Sequence, residues 1–126
     1  HGTHYDLPGG GLDPDESLHA GVRRECREEI GCDVAVGRLL MVAEYFPQRD
    51  DYAHDGQATL DFIFECTMAG DQQPRLPDTP DEDQTGATWM PIETLSQRYL
   101  KPDAAAVLIQ RARGAGSDLL NTNIWR

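Results

Sequence analysis

The sequence predicts an α+β fold, a sandwich built on a mixed β-sheet, and three observations carry that expectation. A glycine turn at 9–11 feeds an amphipathic helical pattern. Two β-rich runs, 38–46 and 59–68, flank a polar loop. A second helical pattern at 102–112 stops at Gly114-Ala115-Gly116.

Taken in order, Tyr5-Asp6-Leu7 reads as the end of a strand entering the turn. Glycines there let backbone approach a ligand closely. Asp13-Pro14-Asp15-Glu16 holds one set of helix-start signals, with Asp13 capping and Glu16 closing a capping box; Ser17 is the later cap. The helix is predicted to run to Ile30, burying Leu18, Val22, Cys26 and Ile30, with Gly31 ending it. A short strand is expected at 34–36 and a longer one at 38–46, paired across the loop with 59–68. Residues 69–84 are rich in Pro and Asp, a loop long enough to suspect a function. A short strand at 85–90 with Trp89 inward and a helical turn from Pro91 follow.

The 126 residues suit one domain with a modest core. A formal net charge of -11 argues against a general nucleic-acid surface, yet a bound metal can invert the local field for a nucleotide. Three cysteines without a Cys-x-x-Cys argue against a disulfide framework and fit a reducing cytosol, so a cytoplasmic protein is expected. No apolar run approaches the length of a membrane span, and no membrane partner is expected.

The chemistry sits at residues 10–32. Glu25, Glu28 and Glu29 fall at i, i+3 and i+4, on one helical face. Like charges at that spacing repel. The ordinary reading is a solvated face paired with Arg23, Arg24 and Arg27. A glycine loop at the right distance reverses it and points to a hard divalent cation bound by carboxylates and carbonyls.

From Gly10 the pattern is five residues, Glu16, seven residues, Arg24-Glu25-Cys26, one residue, Glu28-Glu29, one residue, Gly31-Cys32. This resembles the Nudix box, the signature of the Nudix hydrolases. Every fixed Gly, Glu and Arg is matched; Cys26 and Cys32 replace larger aliphatic residues. Leu7-Pro8-Gly9 is similar to the family's lead-in. Seven fixed residues at background frequencies of about 5–7% make a chance match negligible.

The resemblance implies an α/β/α sandwich, the mixed sheet flanked by the box helix and a C-terminal helix, in a single Nudix domain over 1–126. Typical members have a further strand or two before the glycine turn, so an N-terminal segment missing from this chain is expected. It implies Mg²⁺ or Mn²⁺ bound by Glu25, Glu28, Glu29 and the Gly10 carbonyl, with Glu16 and Arg24 as support. The general base is a box glutamate (Glu25, Glu28, Glu29) or an acid on the loop before Trp89, for which Glu82 and Asp83 are the candidates. His54 and Tyr52 are the substrate-binding candidates from the 47–57 loop. His4 and His19 read as surface histidines, and Tyr45 and Phe46 as packing residues.

The expected activity is hydrolysis of a nucleoside diphosphate linked to a moiety X, at a phosphoanhydride bond. ADP-ribose or a nucleotide-sugar is favoured from the look of residues 57–65 and the acidic loop. A nucleoside triphosphate is the alternative substrate, and a non-catalytic nucleotide sensor the alternative of another class. A homodimer is the family-based expectation.

Overall fold

The computed structural model describes residues 5–45, 58–80, 84–97, 100–101, 105–112 and 120–121. The elements are β1 (Tyr5–Asp6), α1 (Leu18–Ile30), β2 (Val34–Tyr45), β3 (Thr59–Met68), a 3-10 helix (Ile92–Gln97), β4 (Leu100–Lys101), α2 (Ala105–Ala112) and β5 (Leu120–Asn121). β2 lies between β3 and β5, and β1 pairs with β4. β5 runs parallel to β2, with Val42 opposite Leu120. β1 and β4 are also parallel. Ala69, just past β3, donates to the carbonyl of Asp33, just before β2, at 3.2 Å, so those two strands run antiparallel. The fold is therefore α+β with mixed pairing, as expected from the sequence. Among the described residues no helix is long and apolar enough to cross a membrane.

Sequence chemistry explains the main boundaries. Ser17, not Asp13, caps α1: its hydroxyl accepts from the Ala20 N–H at 3.1 Å. The Asp13–Glu16 stretch forms a separate turn ahead of the helix, in which Glu16 Oε1 accepts the Asp13 N–H at 3.0 Å. Gly31 ends α1 at φ 67°, a left-handed conformation that suits glycine, and its N–H reaches the Arg27 carbonyl. The two strand pieces expected around Gly37 are one 12-residue strand. Glycine weakens a strand but keeps its N–H, so the ladder can continue through it.

The chain divides into two compact units, one of residues 7–38 and 66–90, the other of 1–6, 39–65 and 91–126. Cys26, Cys32 and Val34 are buried in the first. Met41, Val42, Ala43, Leu95 and Leu108 are buried in the second, where α2 packs on the 3-10 helix.

Two expectations are corrected. Residues 85–90 form no strand, and Trp89 is 63% exposed rather than inward. Of the four-residue stripe on α1 only Cys26 is buried, and Leu18 is exposed. Periodicity marks an apolar face, but what covers that face is a tertiary matter.

Replacing Ser17 by Ala is expected to cost about 1 kcal/mol in urea denaturation, and by Gly only a few tenths, because Gly retains good capping geometry. Asp61 on β3 is half-buried, and burial raises its pKa above the usual carboxylate range against a weaker opposing bond from Thr59. The folded chain thus binds this proton more tightly than the unfolded chain. Its contribution favours folding at low pH and is lost as pH rises from the ordinary to the raised value. Asp61→Asn is therefore expected to raise the urea midpoint at pH 7, and the gain should shrink on acidification.

Candidate active site

The site is assembled from three stretches of one unit. The glycine turn supplies Gly9 and Gly10, α1 supplies Glu25, Glu28 and Glu29, and the segment after β3 supplies Pro77, Thr79 and Gln84. Together they line a cleft of about 510 Å³. The three glutamates grouped from sequence spacing thus share one cleft with the glycine expected to face them.

Arg24 ties the turn to the helix. Its Nε donates to Glu16 Oε2 at 2.9 Å and lies 3.1 Å from Asp13 Oδ2. Nη1 donates to Glu25 Oε1 at 2.9 Å and to Glu28 Oε2 at 3.1 Å. Nη2 donates to the Gly11 carbonyl at 2.8 Å and to Glu16 Oε1 at 3.0 Å. The bond from Arg24, and then that from the Asp13 N–H, holds the Glu16 carboxyl below its usual range. In turn, hydrogen bonds to Glu16 and Glu25 fix the guanidinium in its charged form.

The turn also meets the helix at close range. Glu29 Oε2 accepts the Gly9 N–H at 3.1 Å. A Cβ on Gly10 would fall 2.8 Å from Cδ of Glu25 and closer still to its Oε1. Within α1, Gly21 gives room to the loop: a Cβ there would meet Leu12 Cδ2 and come within 3.3 Å of Glu16 Oε1.

The donor set is hard oxygen, the kind a divalent cation of the Mg²⁺ class takes. Glu28 and Glu29 also lie in the last turn of α1, where the helix dipole adds negative potential. Among the described residues lining the cleft none is cationic. Chemically these residues fit such an ion. Their carboxylates are not gathered into a ready-made cluster, however: among the described residues no group of three or more His, Cys, Asp or Glu side chains is arranged to hold a metal. One oxygen each of Glu25 and Glu28 accepts from Arg24, and one of Glu29 accepts from Gly9.

Sequence reasoning missed the clasp on the far end of α1. Gln72 pairs with the backbone of Asp33, accepting its N–H at 2.7 Å and donating to its carbonyl at 3.1 Å. The Arg75 N–H donates to the Ile30 carbonyl at 3.0 Å, and Gln84 Nε2 to the Glu29 carbonyl at 2.8 Å. The length of the 69–84 loop was the only hint. Of the other candidates, His19 is exposed on the first turns of α1. Glu82, Asp83, His54, Tyr52, His4 and Phe46 lie outside the described residues. Cys26, between the acids in sequence, is buried, and burial followed by the neighbouring Cys66 pushes its thiol up to about 11. It is a packing group at neutral pH.

A NUDIX domain family model matches residues 1–112. The chain belongs to the Nudix family. No curated protein matches it. As a Nudix domain it is a pyrophosphohydrolase, a hydrolase acting on acid anhydrides, and its substrate class is nucleoside diphosphate derivatives. Nudix hydrolases use divalent metal ions, in keeping with the oxygen donors of the cleft.

Gly10→Ala is expected to lower hydrolysis about tenfold or more, some 1.4 kcal/mol of barrier, because the new methyl displaces the Glu25 carboxylate. A Cβ at Gly11 meets nothing within 4 Å, so Gly11→Ala should stay near wild type. Steady-state assays of the two variants side by side check this contrast.

Proposed function

We propose that the cleft between the glycine turn and α1 is the catalytic centre of a Mg²⁺- or Mn²⁺-dependent hydrolase of ADP-ribose or a related nucleotide-sugar. The observation that carries this reading is that Glu25, Glu28 and Glu29 line one cleft with Gly9 and Gly10. In it, Glu25 and Glu29 are the primary ligands, Glu28 an auxiliary, and the Gly10 carbonyl a further donor. The bound ion supplies positive charge to the phosphoanhydride oxygens and acidifies water.

The chain's own groups do the rest. Arg24 orients Glu25 and Glu28, and Glu16 holds Arg24 against the turn. Water attacks phosphorus, the anhydride P–O bond breaks with its electron pair leaving on the departing phosphate oxygen, and a carboxylate takes the water's proton as general base, leaving two phosphorylated products. That base is a box glutamate or one of Glu82 and Asp83. Support for ADP-ribose comes from the look of residues 57–65 and of the acidic run before Trp89. His54 and Tyr52 are proposed substrate contacts. Three free cysteines support a reducing, cytoplasmic setting.

A panel of nucleoside diphosphate derivatives and triphosphates, incubated with Mg²⁺ and read by mass spectrometry, tests the proposal. ADP-ribose or a nucleotide-sugar is expected to be cleaved fastest, and Glu29→Gln to lose at least about 100-fold in rate. Faster cleavage of a triphosphate would replace the substrate. Full activity in Glu29→Gln would remove the mechanism. Binding without turnover across the panel would make the protein a sensor.

A further inference from the structure

The last carbonyls of a helix have no partner within it and must find one elsewhere. In α1 the Arg27 carbonyl accepts the Gly31 N–H and the Ile30 carbonyl accepts the Arg75 N–H. Both donors are backbone groups, so any residue with an N–H serves. The Glu29 carbonyl differs, because its donor is a side chain 55 positions away, the amide of Gln84 at 2.8 Å. Gln84 is half-buried and also lines the cleft beside Pro77 and Thr79.

Glu29 is thus gripped at both ends. Its carboxylate accepts the Gly9 N–H and its carbonyl accepts the Gln84 amide. Release of the carbonyl would loosen the last turn of α1 at Glu29 while the backbone bonds at Arg27 and Ile30 persist, and Glu28 and Glu29 lie in that turn. We propose that Gln84 is a positioning residue: its amide anchors the backbone of Glu29 in the final turn of α1, so that the Glu29 carboxylate stays at the cleft where a cation can reach it. This rests on the reading of Glu29 as a metal ligand. Gln84 touches neither the cation nor the reacting atoms in this role. It acts through Glu29.

A double-mutant cycle on Mn²⁺ affinity, measured by electron paramagnetic resonance without substrate, tests it. The variants are Gln84→Met, which keeps length and loses the donor, Glu29→Gln, and the pair. Gln84→Met is expected to weaken Mn²⁺ binding about tenfold, the usual scale for losing a partner of a metal ligand. In the Glu29→Gln background the same change should have no further effect. An equal loss in both backgrounds, or none in either, overturns the proposal. If Glu29→Gln alone leaves Mn²⁺ affinity intact, the ligand reading itself falls. If it weakens binding while Gln84→Met does not, only the role of Gln84 falls. Should Gln84→Met fail to fold, Gln84→Asn, which keeps the amide one methylene short, enters the same cycle with the same two outcomes.

Discussion

The site depends on one guanidinium. Arg24 reaches acceptors from the turn (Gly11, Asp13), from the residue before the cap (Glu16) and from its own helix (Glu25, Glu28). Its planar fork of donors can serve several acceptors in fixed directions, which a lysine ammonium does with far less precision. Without it the loop would keep only the Gly9–Glu29 bond among the ties to α1 described above, and Glu25 and Glu28 would lose the guanidinium that both accept from. The glycines are subordinate to this contact: Gly10 and Gly21 leave the room that lets loop and helix come together.

The electrostatics run against local stability and toward function. Acids crowd the helix end where the dipole is already negative. Arg27, the base of the last turn, is spent on Asp33 at 2.7 Å rather than on the cleft. Arg24 neutralises Glu25 and Glu28 only in part, and it does so from the flank. A divalent cation would be a stronger partner for the same oxygens, so the resting bonds are of a kind that an incoming ion can displace.

How much of this was legible follows from sequence distance. The grouping of Glu25, Glu28 and Glu29, the end of α1 at Gly31 and the pairing of the two long strands rest on spacings of a few residues or on strong composition, and could be read. The choice between Asp13 and Ser17 as cap could not, because both stand before plausible first turns and Glu16 closes a box with Asp13 that lies ahead of the helix. Trp89 misled because a large apolar residue is usually covered, whereas burial depends on neighbours that the local pattern does not name. The short pairings β1–β4 and β2–β5 carry two residues on the short strands, too few for a period. Every bond of the clasp by Gln72, Arg75 and Gln84 joins positions 39 or more apart, and a glutamine in a polar loop gives no signal of what it will bind.

Those separations bear on portability. A peptide of residues 10–32 would carry every carboxylate and glycine of the box, together with the Arg24 hub. It would lack the wall of Pro77, Thr79 and Gln84 and the amide that seals the Glu29 carbonyl. The box is thus a local motif whose cleft is a long-range product, formed only after the chain has closed a loop of 55 positions. Grafting the helix and its turn onto another scaffold would transfer the glutamates and leave the pocket behind.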